Sequence, residues 1–118
     1  MKDAPESQAF VVATTNSQLN QVFMLTNAPL FVLGEIVSTP AALEVIQVAN
    51  ISPLSLLRRH VTGDWGDLNK HDKQLNDFAV RDGDSRIFSS YNIGHGQRLW
   101  IITEADRSST CLLKPEDY

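Results

Sequence analysis

The chain has 118 residues, 42% of them hydrophobic and 20% charged, with 10 Lys and Arg against 14 Asp and Glu for a net charge of −4. That size suits one compact domain. The balance excludes a repeat solenoid, a two-domain enzyme, a disordered chain and a protein held on nucleic acid by bulk positive charge. A single cysteine, Cys111, excludes an intrachain disulfide and a cysteine-based zinc cluster. The longest purely apolar run, from Ala28 to Leu33, is far short of the ~20 residues that span a bilayer. The expectation is a cytoplasmic protein with no membrane partner and no cofactor.

Residues 1–29 read as a variable N-terminal extension, either a strand or two or a disordered segment, with short apolar pieces at Phe10–Val12 and Val22–Leu25. Residues 30–118 form the single domain. Leu30–Val37 reads as a strand broken or bulged at Gly34. Thr39-Pro40 opens a short helix with an apolar stripe at Leu43, Val45, Ile46 and Ala49. Ser52-Pro53 opens a second, running through Leu54, Leu56, Leu57 and Arg58 to about His60. Gly63-Asp64-Trp65-Gly66-Asp67 is a tight loop. Asn69 and Asp72 have capping spacing for a third helix, whose apolar positions are Leu75, Phe78 and Ala79 and which Gly83 closes.

The remainder alternates as β structure. Ile87, Ser89, Tyr91 and Ile93 share one face, Gly94-His95-Gly96 turns the chain, and Leu99–Thr103 is apolar on both faces, as a central strand must be. Thr110–Leu113 makes a third strand. The predicted fold is therefore α+β, with two or three short helices packed on an antiparallel meander of three or more strands.

Charge is concentrated late in the chain: residues 51–118 carry nine of the ten basic groups and ten of the fourteen acidic ones. Antiparallel pairing gathers Arg86, Glu104, Asp106, Arg107, Ser108, Ser109 and Thr110 at one sheet end. Two guanidiniums there can fork around a phosphate, and a carboxylate can act as general base. If the loop after the second helix folds over that end, His60 supplies an acid–base group. The catalytic set is then His60, Arg86, Glu104 and Arg107, with Asp64, Trp65, Ser89, Tyr91 and Thr110 as substrate contacts. The bland reading of the same residues is a capped surface turn, a histidine at a helix C-terminus and a tryptophan in the core. His60, Asp64, Asp67, His71 and Asp72 lack the fixed spacing of a metal site, so no metal is expected. Cys111 reads as buried and inert, and His71 and His95 as solvated.

Three stretches carry a resemblance. They are Arg59-His60-Val61-Thr62-Gly63-Asp64-Trp65-Gly66-Asp67, Arg86-Ile87-Phe88-Ser89-Ser90-Tyr91 and Trp100-Ile101-Ile102-Thr103-Glu104-Ala105-Asp106-Arg107. Together with Leu33–Val37, Thr39–Leu43 and the ending Leu112–Tyr118, they resemble a family of short plasmid- and phage-borne proteins usually called plasmid-related proteins. The resemblance covers roughly residues 30–118 and implies a mobile element in a bacterial host. The order of helices followed by a meander is similar, at the level of fold, to barnase- and RelE-like ribonucleases, which work without metal.

Two functions follow as expectations. One is a metal-independent ribonuclease-like or other phosphodiester-processing enzyme, with RNA or another phosphodiester as substrate. The other is a non-catalytic anti-defence or regulatory protein that binds a host protein through an acidic surface, motivated by the net charge and by Asp72, Asp77, Asp82 and Asp84 on and beyond the third helix.

Overall fold

Two side chains write the clearest helix starts in this chain. In the computed structural model, which describes residues 10–11 and 29–118, the Thr39 hydroxyl accepts from the Ala42 N–H at 3.1 Å and opens helix α1 (Pro40–Val48). Asn69 accepts from the Asp72 N–H at 2.8 Å and opens α3 (Lys70–Asp82), which Gly83 closes in a left-handed C-cap. Between them α2 (Pro53–Val61) begins at Ser52, but that side chain makes no capping bond. The Ser55 hydroxyl instead donates to the Ser52 carbonyl at 2.7 Å.

The strands are β1 (Phe10–Val11), β2 (Glu35–Ser38), β3 (Ile87–Gly94), β4 (Gln97–Thr103) and β5 (Ser109–Leu113), followed by a short 3₁₀ turn at Pro115–Asp117. They form one sheet in the order β1-β2-β5-β4-β3. The class is α+β, and β3-β4-β5 is the expected antiparallel meander. The sheet as a whole is mixed, because β2 runs parallel to β5 with Glu35 opposite Ser109 and Ser38 opposite Leu112. Thr110 to Leu113 are all buried, so β5 needs a neighbour on each side, and β2 supplies the second. The strand at 30–37 starts only after Gly34. Phe10–Val11 pairs antiparallel with β2, whereas Val22–Leu25 lies outside the described residues.

The face of the sheet under α1 and α2 holds the larger core. Tyr91, Ile93, Leu99, Ile101 and Leu112 meet Ala42, Ile46, Leu56, Leu57 and Val61. The opposite face carries Ile102, Cys111 and Leu113, with Phe88, Trp100 and Tyr118 packed on them. Trp100, in the central strand β4, is only half-buried there, in T-shaped contact with Phe88 at 4.9 Å.

β3 is a sheet edge, and two devices seal it. The Asn76 amide donates to the Phe88 carbonyl at 2.6 Å and accepts from the Phe88 N–H at 3.0 Å, taking the place of a neighbouring strand. One step further, Ser90 donates to the Trp65 carbonyl and accepts from the Asp67 N–H at 2.9 Å. That approach requires glycine at 66: a Cβ there would lie 1.9 Å from the Ser90 oxygen. With both sites filled, the edge offers little to an incoming strand.

Candidate functional site

His60 lies on the buried stripe of α2 and has no solvent exposure. Its Nδ1 is 2.6 Å from the Ser89 hydroxyl and its Nε2 is 2.9 Å from that of Thr103. Thr103 is 2.7 Å from the Thr110 hydroxyl, which donates to the Leu33 carbonyl at 2.7 Å. That carbonyl fixes the polarity of the whole chain. Thr110 spends its proton on Leu33 and so accepts from Thr103; Thr103 accepts from Nε2–H; Nδ1 accepts from Ser89. Phe31 at 5.1 Å and Trp65 at 6.1 Å close over the ring edge-to-face. Burial pushes the imidazole pKa down to about 3, so His60 is neutral with both nitrogens occupied. It joins α2 to β3 and β4, and through Thr103 to β5, and presents nothing to a substrate.

The loop residues expected at a site are likewise anchored. Trp65 is buried and donates from Nε1 to Asp77 at 3.1 Å. Asp64 binds Arg59 at 2.7 Å, and that pair holds the carboxyl below and the guanidinium above its usual range. Arg59 stacks 4.3 Å from the centre of the Tyr91 ring, whose buried hydroxyl donates to the Asp64 carbonyl at 2.7 Å. Burial raises the Tyr91 pKa. Ser89, Tyr91 and Thr110 therefore sit inside the protein.

The rim at the sheet end forms, but its two guanidiniums do not converge. Arg107, in the β4–β5 turn, donates to the carbonyls of Ser85 at 2.6 Å, Ala79 at 2.9 Å, and Glu104 and Ala105 at 3.1 Å. It is a staple between that turn and the C-terminal end of α3, where carbonyls lack helical partners. Arg86 donates to the Tyr118 hydroxyl at 2.9 Å. The backbone of Glu104 bonds Ser109 and Arg107 within the turn. Asp106 accepts from Ser108, which lowers its pKa. The four residues expected to be catalytic thus serve the scaffold by every contact described for them: His60 in the core, Arg107 and Glu104 in the turn, Arg86 on Tyr118.

The feature that sequence reading misplaced is α3. Its buried positions are Asn76 and Ala79, so Leu75 and Phe78, two of the apolar positions that mark the helix in the sequence, are 51% and 52% exposed. Arg81 stacks 4.4 Å from the centre of the Phe78 ring. Beside this ridge runs a groove of about 440 Å³ between α3 and β3, with Leu75, Phe78 and Phe88 as apolar walls and Asp72 and Arg86 as its charged groups. A second hollow of about 330 Å³ lies on the other side of Phe78, against Gln74, Asp77 and Arg81. Sequence did carry a signal for the first site. His60 follows Pro53, Leu56 and Leu57 at the spacing of a buried helical stripe, and Thr103 follows Leu99 and Ile101 on a core-facing strand register. Nothing comparable marked Asn76.

Among the described residues no three His, Cys, Asp or Glu side chains come together as a metal-binding group, and no single helix is long and apolar enough to cross a membrane. Cys111 is buried, which pushes its thiol up to about 12. No protein-family model, curated protein or solved structure matches the chain.

Proposed function

We propose that this chain is a non-catalytic binding protein that takes an amphipathic helix of a protein partner against the outward face of α3 and the groove beside it. The observation that carries the reading is the half-exposed pair Leu75 and Phe78, flanked by a hollow on each side. An apolar ridge of this kind suits helix-in-groove docking, whereas strand addition is disfavoured because Asn76 and the 65–67 loop occupy the β3 edge. Charges of both signs line the ridge, which favours protein over a polyanion. The resemblance to plasmid-related proteins supports a mobile-element setting, in which a host defence or regulatory protein is one class of target. The rival reading as a phosphodiesterase loses its acid–base group, since His60 is buried and neutral.

Two measurements test this. Incubation with RNA and DNA, with and without chelator, gives no cleavage; cleavage by the wild type that disappears in Glu104→Gln would overturn the reading. A photo-crosslinking residue at Gln74, in the hollow beside Phe78, gives a protein adduct in bacterial cells that Phe78→Asp abolishes. Absence of any protein adduct counts equally against it.

A further inference from the structure

Resting on the binding reading above, we infer that the helix received by α3 is α3 of a second copy of this chain, packed antiparallel across His71, Leu75, Phe78 and Asp82. These four residues are exposed. At about 100° per residue they fall within roughly 60° of arc, on the flank of α3 next to the buried Ala79 and Asn76, where Leu75 and Phe78 also wall the groove towards β3. Their spacing of four, three and four residues is that of a helix–helix seam.

The stripe is complementary to its own reverse. When two such helices run antiparallel about a two-fold axis, Leu75 meets the partner's Phe78, and Phe78 meets the partner's Leu75. His71 meets the partner's Asp82 at one end, and the same contact recurs at the other. A ring N–H of the histidine donates to the carboxylate at each end. A parallel pair would set Asp82 against the partner's Asp82 and leave both aromatic rings stacked on themselves, so the charges select the antiparallel register. Asp82 already accepts from its neighbour Arg81 through Oδ1 at 3.3 Å, and a carboxylate with two oxygens has capacity for a second donor. Arg81, lying over the Phe78 ring, stays at the rim.

The area sets the strength. A helix of 13 residues is about 20 Å long, and one face of it provides less than the roughly 800 Å² per partner of a stable complex. The dimer is accordingly weak and concentration-dependent.

Sedimentation equilibrium of the full chain from about 10 μM to 1 mM reads this directly. The weight-average mass is expected to climb from monomer towards dimer. Phe78→Asp should raise the dissociation constant at least ~10-fold with circular dichroism unchanged. His71→Asp and Asp82→Lys should each weaken the dimer, and His71→Asp/Asp82→Lys together should restore it to within ~3-fold of wild type, since a donor and a carboxylate again face each other at each end. A chain that remains monomeric at 1 mM overturns the inference, as does a dimer indifferent to Phe78→Asp or a double variant that is not rescued. A monomer whose Gln74 crosslinker captures a different protein, with loss in Phe78→Asp, overturns the homodimer and leaves the binding reading standing. A monomer with no protein adduct at all ends both.

Discussion

Two regions of this molecule handle polarity in opposite ways. Beneath α2 the interior holds a histidine and three hydroxyls with no solvent exposure, each satisfied by the next until the Leu33 carbonyl ends the series. On α3, a leucine and a phenylalanine stand half in water while Asn76 turns inward. The difference lies in what each environment asks of the backbone. The centre of the sheet is already paired, so side-chain groups there need only satisfy one another. The β3 edge has an unpaired N–H and C=O at Phe88, and an inward Asn76 answers both. Committing that face of α3 to an amide rotates Leu75 and Phe78 outward. The exposed ridge is a consequence of how the edge was sealed.

Four experiments break or sharpen this contrast, in descending order of effect. His60→Ala removes a buried ring and strands the Ser89 and Thr103 hydroxyls, so denaturant unfolding should show a loss of about 4–5 kcal/mol. A stabilised or neutral variant would mean that the network contributes nothing.

The pH dependence comes next. The folded pKa of His60 is depressed to about 3 from an ordinary 6.5, so the unfolded chain takes the proton first as pH falls. The stability that depends on neutral His60 is complete above pH 6.5 and drains away towards pH 3, with roughly 3 kcal/mol gone by pH 4 at about 1.36 kcal/mol per pKa unit. Chemical denaturation of the wild type between pH 7 and 4 should therefore show a steeper decline than His60→Gln, and parallel declines would count against a buried neutral ring.

Asn76→Ala leaves the Phe88 N–H and carbonyl without their partner and should cost about 2–3 kcal/mol. It should also raise hydrogen exchange at Phe88 more than at Ser90, whose bonds come from the 65–67 loop. The smallest expected effect is on the ridge: Leu75→Ser/Phe78→Ser should change folding stability by less than about 1 kcal/mol, while its effect on association is large. A substantial loss of stability would show that the ridge belongs to the core after all.

How much of this could be read in advance depended on whether the signal was local. Thr39 and Asn69 cap their helices, Gly83 ends α3, and Ile87, Ser89, Tyr91 and Ile93 share a buried face. Each follows from neighbouring residues and the period of the element. The meander was equally readable, because its turns are short. The parallel pairing of β2 with β5 was not, since about 70 residues separate them in sequence and no local pattern encodes that choice. What Arg86 and Arg107 bind is equally non-local. Topology brings both to one sheet end, but the helix carbonyl of Ala79 and the hydroxyl of Tyr118 claim the side chains.

The sequence alone determined an acidic α+β domain with three helices preceding a β-meander, the residues that start and stop those helices, and the alternation that buries one face of β3. Only the tertiary structure decided which chemistry is reachable. It placed His60 among hydroxyls in the dry interior, spent Arg107 on backbone carbonyls, and turned Leu75 and Phe78 towards water. Residue type records what a side chain can do. Exposure and the partners that compete for its hydrogen bonds depend on segments far apart in the chain, and these select what it does here.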